Sequence, residues 1–96
     1  LSVVDSDKQA FKKAVLIKLN DNALMVPAFV MNSLINPLTK EEYFFVLAPT
    51  APTPGSGFVL VVKASQTFDP GWTVEETLKA IVSVGIIAPK ELKEKI

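Results

Sequence analysis

The sequence predicts a small α+β domain, a mainly antiparallel sheet of four to five strands with a C-terminal helix packed on one face. Three observations carry that prediction. Short runs rich in Val, Ile and Phe alternate with turns containing Pro, Gly and Asn. One amphipathic stretch near the C-terminus has signals for both the start and the end of a helix. The 96 residues are 49% hydrophobic and 21% charged, which suits a single domain over residues 1–96.

The elements follow in chain order. Residues 6–11 form a polar lead-in, in which Asp7 can cap one helical turn. The run from Lys13 to Leu19 is rich in β-branched residues and reads as a strand, with Val15, Ile17 and Leu19 on one face and Leu16 and Lys18 on the other. It stops at Asn20, Asp21 and Asn22, whose short side chains suit turns and left-handed backbone. A second apolar run covers Leu24 to Ile35. Pro27 within it cannot donate to a ladder, so an edge position or a bulge is expected. Asn36 and Pro37 open a polar turn. The run from Tyr43 to Leu47 is apolar on both faces, as a central strand is, and Phe58 to Val62 repeats that pattern. Residues 64–68 form a short fifth strand.

Asp69, Pro70 and Gly71 make a turn, and Thr73 with Glu76 three residues later is a capping box. Val74, Leu78, Ile81 and Val82 fall on one apolar face, and Gly85 suits the left-handed residue that ends a helix. The spacing predicts a helix from Val74 to Val84. Pro89 then opens a short amphiphilic end helix, Lys90 to Ile96.

Composition excludes several functions. Without Cys there is no disulfide, thiolate nucleophile or zinc–thiolate cluster, and without His no imidazole base or ligand. No metal, cofactor, catalytic residue or enzymatic activity is expected. All ten positive charges are lysines and they balance ten carboxylates, so no nucleic-acid partner is expected. Two stretches lack charge, Asn22 to Thr39 and Tyr43 to Val62. Prolines and glycines break the second, and the first, with Pro27 and Pro37, has an apolar part of only about 14 residues, so neither reads as a membrane-spanning helix. Yet the mean hydropathy of +0.35 is high for a domain of this size. The excess implies apolar surface that meets a partner or a membrane.

Candidate site residues are few. Gly55, Ser56 and Gly57 could place backbone N–H groups around an anion or expose a serine; the spacing fits neither a P-loop nor a nucleophile elbow, and the ordinary reading is a connection between strands. Pro49, Thr50, Ala51 and Pro52 spell a PTAP peptide element, here lodged between two strands. Asp69, Glu75 and Glu76 cluster in sequence, and the cap accounts for the glutamates. Lys8, Lys12 and Lys13 form a small basic group that fits a solvated face or anionic lipid headgroups. Trp72 packs over the helix start or anchors at an interface.

An ordered set of residues resembles a known family. Ala10-Phe11-Lys12-Lys13-Ala14-Val15-Leu16 leads in. Val46-Leu47-Ala48-Pro49-Thr50, Pro52, Pro54 and Ser56-Gly57-Phe58-Val59-Leu60-Val61-Val62 follow, then Thr73-Val74-Glu75-Glu76, Leu78-Lys79, Ser83 and Gly85. The chain resembles the continuous vascular ring (COV)-like family of predicted membrane proteins of unknown function over about residues 8–89. It departs from the family's pattern at Gly55, where Thr is usual, at Thr77, where Ala is usual, and at Val84, where Gly is usual. Residues 24–42 match poorly. Family members carry two transmembrane helices before this region. The likeness therefore implies that Leu1 begins a soluble piece of a longer membrane protein, at the membrane and on its cytoplasmic side, attached through an N-terminal region not included here. It implies no activity and no catalytic residue. The expected function is that of an extramembrane interaction or assembly domain, with a protein partner or a homo-oligomer. The second reading is a small-molecule or anion-binding module using the loop from Pro49 to Gly57.

Overall fold

The computed structural model describes residues 11–21 and 23–93. Its elements are β1 (Lys13–Leu19), β2 (Leu24–Ile35), β3 (Glu42–Pro49), β4 (Gly57–Lys63), a 3-10 turn (Ala64–Gln66), β5 (Thr67–Phe68) and α1 (Val74–Val82). The five strands form one antiparallel sheet in the order β4-β3-β2-β1-β5. This is the α+β architecture expected.

The first four strands are a meander, and each turn has a local cause. Asn20 and Asp21 both adopt left-handed backbone between β1 and β2, a conformation their short polar side chains tolerate. Between β2 and β3 the Asn36 side-chain oxygen accepts from the N–H groups of Leu38 (2.9 Å) and Thr39 (3.3 Å), and Lys40 takes the left-handed position. β5 then pairs with β1, through Leu16↔Phe68 and Ile17↔Thr67.

That last pairing bends the sheet. β4 and β5 lie at opposite edges, about 19 Å apart in a flat five-stranded sheet. The step from Lys63 to Thr67 reaches at most about 14 Å. The sheet must therefore coil, with the 3-10 turn bridging its two edges. Val15, Ile17, Ala28, Val30 and Val46 cluster on the inner side, packed by Val26, Phe44 and Val62. A bulge in β2 between Val30 and Asn32 supplies part of the bend.

β2 is therefore a central strand, and Pro27 sits within it. The expected edge character survives locally. β2 pairs with β1 from Leu24 to Val30, but its ladder with β3 begins only at Phe29. At Pro27 the strand has a single neighbour, and the missing N–H interrupts no second ladder. β4 departs further from its pattern. Though as apolar as β3, it is an edge strand, and Phe58, Val59, Leu60 and Val61 are all exposed.

The opposite face is covered by α1 over β1 and β2. Phe29 is fully buried with Ala14 and Ile81, and Phe11, Met31, Val74 and Leu78 pack around them. The Phe11 and Phe29 rings stack at 4.7 Å with 6° between their planes. The capping box forms as predicted: the Glu76 N–H donates to Thr73 Oγ1 (3.0 Å) and the Thr73 N–H donates to Glu76 Oε1 (2.9 Å). The buried stripe is rotated from the predicted one. Thr77 is buried and Val82 is exposed. Thr77 tolerates burial because its hydroxyl donates to the Thr73 carbonyl at 2.9 Å.

α1 stops at Val82, short of the predicted Val84. Val84 is left-handed (φ 49°), as is Gly85 (φ 90°), and the Gly85 N–H donates to the Ala80 carbonyl at 2.7 Å. The predicted end helix is absent among its described residues: Lys90 to Lys93 are irregular, and residues 94–96 lie outside the description. This segment docks instead on the turn before α1. The Lys93 N–H donates to the Pro70 carbonyl (3.1 Å) and Trp72 Nε1–H to the Glu91 carbonyl (2.7 Å). The predicted turn at Asp7 also lies outside the described residues.

Thr73→Ala removes one half of the capping box and should cost about 1 kcal/mol, while Thr73→Ser should keep most of the stability. Urea melts of the two variants beside the parent measure the difference.

Candidate functional site

The 50–56 loop joins β3 to β4 and is closed by its own polar groups. The Thr50 N–H donates to the Ser56 carbonyl (2.9 Å), and the Ser56 N–H to the Thr53 carbonyl (3.1 Å). The Ser56 hydroxyl donates to the Thr53 carbonyl (3.2 Å) and lies 3.0 Å from the Thr50 hydroxyl. Ser56 thus uses its amide and hydroxyl to hold the loop closed. The PTAP element is likewise folded into the hairpin, since Pro49 is the last residue of β3 and pairs with Gly57.

The two glycines differ. At Gly57 the backbone has φ 155°, and a Cβ would collide with the Ala48 carbonyl oxygen and approach Pro49 Cα to 2.8 Å. At Gly55 a Cβ would meet nothing within 4 Å. Gly57 is therefore required by close backbone approach, and Gly55 is open to substitution.

Of the candidate lysines, Lys8 lies outside the described residues. Lys13 Nζ sits over the Phe44 ring at 5.6 Å from its centroid, and Lys12 is exposed just before β1. Lys18 Nζ lies over Phe68 at 5.8 Å. The carboxylates separate. Asp69 accepts from the Gly71 N–H (2.8 Å), and Glu76 is held in the cap. Among the described residues no group of three acidic, His or Cys side chains could hold a metal ion.

Among the concave features of the described residues is an apolar groove of about 390 Å³. Pro27, Pro49 and Ala51 form one wall, and Trp72, Val84 and Pro89 stand opposite with the end of α1. Three of these residues are prolines and bring no backbone N–H, so the walls ask little of a ligand in hydrogen bonding. Trp72 is half-buried, its indole held by the bond to Glu91. Ser83 fixes the helix end: its hydroxyl oxygen accepts from the Ile87 N–H (2.9 Å), and it approaches the Ala80 carbonyl at 3.3 Å. Beyond that end, Ile86 is 83% exposed and Ile87 61%. Such an arrangement can bind an apolar group but supplies no acid, base or nucleophile.

Sequence reasoning missed the groove because its walls come from five separated segments. The available signal was the recurrence of proline at segment ends, together with the unexplained hydropathy. No protein-family model, curated protein or solved structure matches the chain. Among the described residues no helix is long and apolar enough to cross a membrane.

Two outcomes are expected from this geometry. Gly57→Ala should destabilise the domain by about 2 kcal/mol or more, while Gly55→Ala should stay within about 0.5 kcal/mol of the parent, as thermal melts will record. The protein should show no turnover of generic ester or phosphate substrates; turnover that disappears in Ser56→Ala would restore the loop as an active site.

Proposed function

We propose that this domain is a protein-interaction or assembly module, the cytoplasmic extramembrane part of a small integral membrane protein. The observation that carries the reading is the proline-walled groove beside the exposed Ile86 and Ile87. Isolated apolar side chains on a surface need no explanation, but a concave apolar site, with two exposed isoleucines in the chain segment between its lining residues Gly85 and Ala88, is where a partner's side chain gains most from leaving water. Its role is binding rather than catalysis, since none of the lining residues titrates.

The membrane half of the proposal draws on the resemblance to the COV-like family. The high mean hydropathy of +0.35 is in keeping with it. The domain itself would then sit beside the bilayer and meet its partner there.

Photo-crosslinking in cells that make the complete protein tests both halves. A crosslinker at Ala51 or Ile86 should give a discrete adduct in the membrane fraction, and one at Gln66, on the 3-10 turn, should not. Absence of the protein from membranes would remove the first half, and equal labelling at all three positions would remove the second.

A further inference from the structure

β4 is an edge with none of the usual protection. Edge strands are commonly shortened, bulged, or broken by proline or inward charge. β4 spans seven residues, pairs without a bulge along β3, and reads Phe58-Val59-Leu60-Val61-Val62 between Gly57 and Lys63. Its outer backbone edge has no strand partner among the described residues. Val59 is 71% exposed and Phe58 69%. Phe58 and Leu60 on one face and Val59 and Val61 on the other are all exposed, so this edge presents apolar side chains on both sides.

We propose that β4 pairs antiparallel with β4 of a second copy of this chain, about a two-fold axis through Leu60. This rests on reading the domain as an assembly module and names one partner; it does not require the membrane. The strand is close to self-complementary about that axis. Phe58 falls opposite Val62 of the copy, Val59 opposite Val61, and Leu60 opposite itself. Each pair joins residues of the same face, so both faces continue across the junction.

Charge selects the same register. Lys63 is the strand's one charge. Antiparallel pairing sets it against Gly57 of the copy and leaves the two lysines at opposite ends, whereas a parallel pair would bring them together. Lys63 is also paired with Glu41 at 3.5 Å, and the chain is neutral overall, so no long-range repulsion opposes approach.

Association stops at two. The other edge of the sheet is β5, two residues long and followed by Asp69 and Pro70. It is too short to template another strand, so the contact closes as a symmetric dimer and does not propagate. A junction of two seven-residue strands is small beside the roughly 1,200–2,000 Å² of a standard interface. The dimer is therefore concentration-dependent.

The chain has no cysteine, which permits a direct test. In the full chain under mild oxidation, Leu60→Cys should form an intermolecular disulfide. Val62→Cys should not, because its symmetry mate lies about 13 Å away. Sedimentation should show a monomer–dimer equilibrium in the parent. Val59→Lys should weaken it about tenfold or more, since two symmetric sites are affected, and Val59→Lys/Val61→Glu should return it to within about threefold by placing opposite charges across the junction. Circular dichroism confirms that each variant folds. A parent that stays monomeric at millimolar concentration, equal cross-linking at both cysteine positions, or a folded double variant no tighter than Val59→Lys each overturns the proposal. The groove reading is unaffected by any of these results, because its crosslink at Ile86 lies on the segment after α1 and not on β4.

Discussion

β1 lies between β2 and β5 within the sheet, and between the coiled interior and α1 across it. Four consecutive residues, Ala14 to Ile17, are consequently buried on alternating sides. Val15 and Ile17 enter the inner cluster, and Ala14 enters the cluster beneath the helix. Full burial of a Val, Leu or Ile side chain contributes about 1.5–3 kcal/mol, so this short segment ties the two cores together, as Ala28, Phe29 and Val30 of the neighbouring β2 also do. The remaining elements take their places from it. β5 exists because β1 offers it an edge, the 3-10 turn must bridge the sheet to reach that edge, and the sheet coils because the bridge is short.

What was legible in the sequence was what is decided locally. The capping box depends on Thr73 and Glu76 three residues apart and needs no tertiary information. The same holds for the turns at Asn20 and Asp21, which take left-handed backbone, and at Asn36, whose side chain accepts from the backbone two and three residues on. The apolar face of α1 was read correctly at Val74, Leu78 and Ile81 but misplaced at Val82, because hydropathy alone cannot anticipate that Thr77 satisfies its hydroxyl within the helix.

The position of a strand in a sheet is a different kind of quantity. β3 and β4 have nearly the same pattern, yet one is central and the other an edge. The difference comes from where the chain goes next. After Lys63 it turns across the sheet to join β1 instead of adding beyond β4. The groove escaped for a similar reason, since Pro27, Pro49, Trp72, Val84 and Pro89 belong to no common motif. The candidates taken from the 49–57 loop were chosen by residue type, and the structure gives Ser56 and Gly57 architectural duties instead. The apolar surplus, by contrast, was visible in composition and now has addresses, along β4 and around the end of α1.

Val84 forms part of the groove wall while holding a left-handed backbone that a β-branched residue adopts only under strain. That conformation costs about 1–2 kcal/mol relative to an ordinary one. The cost is recovered whenever the residues after Val82 let go, so that segment should open roughly ten times more often than an unstrained one. The opposite wall, carried by Pro27 and Pro49 on paired strands, has no such freedom. The groove thus has lining residues held on paired strands and, at the helix end, a strained residue beside Ile81, so any yielding of that end is felt in the core beneath the helix.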